Sequence, residues 1–173
     1  MGDDVHLDIE GVRVETPTNT PIVLLRERDG SRYLPIWIGA AEATAIAYAQ
    51  QGVVPPRPLT HDLLRSVILE LGHTLTRVRI TALEEGVYYA ALDIDGGAES
   101  GGYTVESRSS DAIALALRMN APVLAPRLLL EEAGIRIEDD GEGEGEAPED
   151  ELERFKEFLD HVSPEDFELG EQP

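Results

Sequence analysis

Cysteine is absent from this chain of 173 residues, and lysine occurs once, as Lys156. The first absence excludes a disulfide framework, a thiolate nucleophile and any Cys-ligated zinc or iron–sulfur centre. The second leaves no Walker-type phosphate lysine in the body of the chain, and no Gly-x-Gly-x-x-Gly follows a strand pattern, so a Gly-rich nucleotide loop is excluded. Neither His-Glu-x-x-His nor Gly-x-Ser-x-Gly occurs. No apolar run approaches the ~18–20 residues that cross a bilayer. Met1-Gly2-Asp3-Asp4 has neither the basic nor the apolar stretch of a secretory signal, so the expected compartment is the cytoplasm, without a membrane partner.

What is abundant is negative charge, and it is unevenly spread. The chain carries 35 acidic against 14 basic residues, a formal net charge of −21. From Glu138 onward 16 acids face only Arg154 and Lys156. Low-complexity Asp139-Asp140-Gly-Glu-Gly-Glu-Gly-Glu146 cannot bury a core, so residues 138–150 are expected to be a flexible acidic linker. Beyond it, Leu152, Phe155, Leu159 and Val162 recur at helical spacing, which predicts a short amphipathic helix and tail over 151–173. That helix either docks on its own domain or binds a protein partner. A body of this sign gains nothing from long-range attraction to nucleic acid, although local arginines could still hold phosphate.

Residues 1–137 read as one mixed domain. Val5–Val14 alternates like a half-buried strand. Pro21–Arg28 and Arg32–Ile38 flank Asp29-Gly30-Ser31 as a hairpin, and Arg77–Leu83 and Val87–Ile94 form another around Glu84-Glu85-Gly86. Within Ile36-Trp37-Ile38 the tryptophan is expected in the core. Gly39–Gln51 is Ala-rich and helical, with Glu42 at N3, the third helical position. Thr60 is expected to cap a second helix carrying Leu63, Leu64, Val67, Ile68 and Leu71 on one face. A strand near Tyr103–Val105, a helix over Asp111–Met119, a short buried strand at Pro122–Ala125 and a helix from Pro126 to Ala133 complete the pattern. Strands and helices do not alternate regularly. The expected fold is therefore α+β: a mixed, mainly antiparallel sheet packed with three to four helices, followed by the acidic extension.

Three places hold polar groups that a plain core does not require. In Arg57-Pro-Leu-Thr-His61-Asp62, the threonine and Asp62 serve equally as cap and first-turn acid, but a histidine at a helix start has no such explanation. Arg108-Ser-Ser-Asp111 sets an arginine beside the free N–H groups of a helix start, a seat for phosphate. Glu42 stands at a third helix start. Two or three carboxylates with one histidine can hold a divalent ion and activate water against a phosphodiester. On that reading Glu42, Asp62 and Asp111 hold Mg²⁺ or Mn²⁺, His61 is general base or ligand, and Arg57 and Arg108 steady phosphate oxygens.

Thr18-Asn-Thr-Pro21, Leu34-Pro-Ile-Trp-Ile-Gly39 with Glu42-Ala43, Gly52-Val-Val-Pro-Pro-Arg-Pro-Leu-Thr-His-Asp62 and Ser110-Asp-Ala-Ile-Ala-Leu-Ala-Leu-Arg118 together resemble the bifunctional nuclease (BFN) domain family in its actinobacterial form. The resemblance spans roughly residues 5–137. Phe158–Phe167 is similar to the tail of the same bacterial group. Where the family has Arg-Pro-Ser-Asp, this chain has Arg108-Ser-Ser-Asp111. The resemblance implies a self-associating α+β domain, a homodimer or higher homo-oligomer, of a family whose plant members have DNase and RNase activity. The competing expectation is a non-catalytic regulatory or protein-binding module, whose acidic tail recruits a partner or masks the arginines.

Overall fold

A computed structural model describes residues 3–97 and 101–137; the expected acidic linker and C-terminal helix lie outside them. The elements run β1 (Asp4–Glu15), β2 (Thr20–Glu27), β3 (Arg32–Trp37), α1 (Ala40–Gln51), α2 (Thr60–Glu70), β4 (Leu75–Glu84), β5 (Val87–Ile94), β6 (Tyr103–Arg108), α3 (Ser109–Met119), β7 (Val123–Pro126), α4 (Arg127–Ala133) and β8 (Ile135–Arg136). The strands form one eight-stranded sheet in the order β6-β5-β4-β7-β1-β2-β3-β8. Among the described residues every pairing is antiparallel except β4 with β7. This is the α+β arrangement the sequence predicts. No described helix is long and apolar enough to cross a membrane.

The single parallel pairing explains the layout. It joins two antiparallel groups, β6-β5-β4 and β7-β1-β2-β3-β8. The connections that move the chain between these groups are helical, as crossovers to non-adjacent strands require. The first runs from β3 through α1 and α2 to β4, and the second from β6 through α3 to β7. Helix α1 lies against β1 and β2, and α3 against β4, β5 and β6. The two helices also pack on each other. Both are rich in small residues: Ala43, Ala45 and Ala47 on α1, and Ala112, Ala114 and Ala116 on α3, are all buried. Short side chains there let the axes approach closely. Gly52, left-handed at φ 66°, ends α1 with its N–H on the carbonyls of Ala49 and Tyr48.

Four details depart from expectation. Trp37 is 53 % exposed. Ile36 and Ile38 on either side are buried, and the period of two turns the residue between them outward, where its indole N–H donates to Glu15 Oε2 at 2.8 Å. Helix α2 is capped at Leu59, so Thr60 is its first residue and Asp62 its third. Of the apolar residues expected on its inner face only Ile68 is buried, because α2 packs mainly on α3 and not on the sheet. Finally, α3 begins at Ser109, two residues early, which puts Asp111 at N3.

One ionic cluster ties β4, β5 and β6 together. Asp93, in β5, accepts from Arg77 Nε at 2.6 Å, from Arg79 Nε and NH2 at 2.8 Å each, and from the Thr104 hydroxyl at 3.0 Å. Arg79 holds the carboxyl far below its ordinary pKa, burial opposes this, and Arg77 and Thr104 add to the lowering. A depressed folded value means that the stabilisation is complete above the unfolded pKa of about 4 and is lost as pH falls through the folded one. Asp93→Asn is expected to destabilise the chain by about 2 kcal/mol at pH 7. Urea unfolding at a series of pH values should show that gap narrowing steadily below about pH 4.

Candidate active site

Each of the three longer helices presents a carboxylate at its third position: Glu42 in α1, Asp62 in α2 and Asp111 in α3. A first-turn acid meets unpaired backbone N–H groups and the positive end of the helix dipole, which accounts for the residue type locally. Tertiary structure decides what else each carboxylate does.

Asp111 uses both its oxygens. Oδ1 lies 2.9 Å from His61 Nε2, and Oδ2 accepts from Arg108 Nε at 2.7 Å. Arg108, the N-cap residue of α3, extends its NH1 to Glu42 Oε1 at 3.1 Å. The result is a continuous series, Glu42–Arg108–Asp111–His61, drawn from α1, α2 and α3 and their flanks. Gly39 makes room for it: a Cβ there would stand 2.3 Å from Glu42 Oε2. Burial is uneven within the series, and Arg108 is its exposed member. The His61 side chain is 12 % exposed and that of Arg108 68 %, so the imidazole is enclosed while the guanidinium faces solvent.

Electrostatics fixes the proton on His61. Burial pushes the Asp111 carboxyl up, but hydrogen bonds from Arg108 and His61 outweigh it and leave the group below its ordinary value. Asp111 is therefore ionised at neutral pH and can only accept. Nε2 must be the donor, which leaves the lone pair of neutral His61 on Nδ1, for which the described residues offer no hydrogen-bond partner. A carboxylate that orients an imidazole and sets its tautomer is the arrangement of a general base.

The sequence expectation places six residues in one site, and the structure joins four of them. Asp62 is turned elsewhere: Oδ1 accepts from Arg118 Nε at 2.8 Å and Oδ2 from the Leu59 backbone N–H at 3.0 Å. Burial raises its pKa, yet the bonds from Arg118 and Leu59 prevail and lower it. Arg57 is exposed in the turn before α2 and has no ion pair or hydrogen bond to the series among the described residues. Arg118 stands in no candidate site of the sequence reading; as a last-turn cation of α3 it reads as a dipole partner, and only the helix pairing reveals Asp62 beside it.

A shared ion seat for Glu42, Asp62 and Asp111 does not fit this geometry. Among the described residues no three His, Asp or Glu side chains are placed to hold one metal ion. The carboxylates are already neutralised, Glu42 and Asp111 by Arg108 and Asp62 by Arg118.

Comparison with known proteins locates the similarity. The model of the bifunctional nuclease domain matches residues 23–138. An uncharacterized protein of Mycobacterium tuberculosis (strain H37Rv) is 52 % identical over 161 residues, covering 92 % of this chain and 95 % of its own. Bifunctional nuclease 2 of Oryza sativa subsp. japonica is 29 % identical over 76 % of this chain and 41 % of its own. Bifunctional nuclease 2 of Arabidopsis thaliana is 25 % identical over 83 % of this chain and 44 % of its own. This chain thus matches less than half the length of either plant protein.

A nitrogen-15 spectrum of the histidine side chains tests the tautomer. At pH 8 the Nε2–H proton of His61 should be visible and protected from exchange with water, with His61→Gln assigning it among the four histidines. Asp111→Ala should lose it to exchange. A proton found on Nδ1 instead would refute the assignment.

Proposed function

The chain belongs to the bifunctional nuclease domain family, and on that premise we propose that it hydrolyses phosphodiester bonds of DNA or RNA at the Glu42–Arg108–Asp111–His61 series. The observation that carries this reading is the Asp111–His61 hydrogen bond with an exposed guanidinium on the same carboxylate. It supplies a base and an anion-binding group in adjacent positions, the two things phosphodiester cleavage asks of a protein.

His61 Nδ1 takes the proton from the attacking oxygen, either water or a neighbouring ribose hydroxyl. Asp111 stabilises the imidazolium that results, and does so without moving. Arg108 balances the charge that gathers on the phosphoryl oxygens as the new P–O bond forms and the old one breaks; the leaving oxygen keeps the electron pair of the broken bond and takes a proton from water. Glu42 restrains Arg108 from the far side, and the fork of the guanidinium lets it keep one carboxylate while a phosphate displaces the other. Arg57, exposed before α2, is the second phosphate contact along an extended strand. Self-association in the cytoplasm is part of the proposal, and sedimentation of the purified chain measures it.

A second reading, a binding module without turnover, draws on the apolar face of α2. Leu63, Leu64, Val67 and Leu71 are each between 38 and 68 % exposed there, and uncovered apolar surface of this extent suits a protein partner.

Labelled DNA and RNA oligonucleotides separate the two. Cleavage by the purified chain is expected, with His61→Gln lowering kcat by about 10²–10⁴-fold and Arg108→Ala by roughly 10²-fold or more. The geometry also implies that cleavage persists in EDTA. Loss in the chelator, restored by Mg²⁺ or Mn²⁺, would return the carboxylates to the role of ion ligands. Intact oligonucleotides in every ionic condition would favour the binding module.

A further inference from the structure

We infer that Asp62 and Arg118 form a positioning pair for His61: they fix the first turn of α2 on α3 so that the imidazole meets Asp111. The inference rests on the nuclease reading for its kinetic consequence, but its structural content stands separately.

Arg118 sits in the last turn of α3 with its side chain only 7 % exposed. A guanidinium so enclosed requires partners for its N–H groups. Nε donates to Asp62 Oδ1 at 2.8 Å, and NH1 folds back to the Ala114 carbonyl at 2.9 Å. The other oxygen of Asp62 holds the N–H of Leu59, the cap of α2. One turn further along α2, Arg65 Nε reaches the backbone carbonyl of Arg118 at 3.1 Å. Asp62 and Arg118 thus join the start of one helix to the end of the other.

Apolar packing does not do this work. Ile68, the buried residue of α2, lies two turns beyond His61, and the apolar side chains nearer the start of α2 are exposed. Left to such packing, the first turn could slide or roll by an ångström, enough to break the 2.9 Å contact of His61 with Asp111. One contact between two helices fixes a point; two contacts at different heights fix an orientation. Asp111 and Arg118 are seven residues apart on α3, about two turns, and so lie on the same side. The directional fork of Arg118 binds two acceptors at once, which a lysine ammonium would not reproduce in the same geometry. Neither member bonds to the Glu42–Arg108–Asp111–His61 series, so the pair acts through the backbone of α2.

The test uses the full chain with Arg118→Lys, Asp62→Asn and the double variant Asp62→Asn/Arg118→Met. The double variant leaves no buried charge unpaired, which removes the commonest cause of misfolding after such a change. In each folded variant the protected Nε2–H signal of His61 should disappear, kcat should fall about tenfold or more, and KM should stay within about twofold, since substrate contacts remain. A variant that folds and keeps the His61 signal would overturn the pairing, as would a double variant that does not fold at all, because the pair would then be a requirement of the fold. Should the wild-type chain cleave nothing, the nuclease reading fails, and the spectrum alone still decides whether Asp62 and Arg118 place the imidazole.

Discussion

The Asp111 carboxylate is the joint on which the site depends. Its two oxygens do different things, one fixing an imidazole from α2 and the other an arginine that reaches α1. Take away its charge and the imidazole loses its orientation, the guanidinium loses one of its two holds, and Glu42 is left to restrain Arg108 alone. A carboxylate can carry this load because it has about four lone-pair sites and because the two cationic or donor groups around it stabilise its ionised form more than burial opposes it.

Much of the scaffold was legible in the chain itself. Alternating apolar residues and short turns give both hairpins, and a glycine cap with a third-position glutamate marks the start of α1. Those signals are local, so they survive without tertiary information. What failed to show was non-local. The two-residue β8 has too little pattern to register, and the insertion of β7 between β4 and β1 is a matter of sheet order. Helix α2 carries the period of a helix with a buried face, but α3 covers only Ile68, and nothing in the spacing reveals how much of a face will find a neighbour.

The candidate site divides along the same line. Helix starts supply acids for a local reason, so Glu42, Asp62 and Asp111 are visible as a class. Their destinations are not. Asp62 follows His61 directly, yet the two turn to acceptors and donors on α3 about two helical turns apart, and the sequence cannot say that one carboxylate meets an imidazole while the other meets Arg118. The family match explains why nuclease chemistry is the first function to consider. The placement of these side chains supplies the reason to look for it where α1, α2 and α3 begin.

Every member of the hydrogen-bonded series comes from one of the two crossover connections or from the residue that opens it, and those connections join strand groups that share a single parallel seam with a short register, Val78 with Val123 and Arg79 with Leu124. Neither hairpin contributes a residue to that series. The series is therefore a product of assembly: strand groups that have each formed but not yet met would be correctly paired almost everywhere and still lack it.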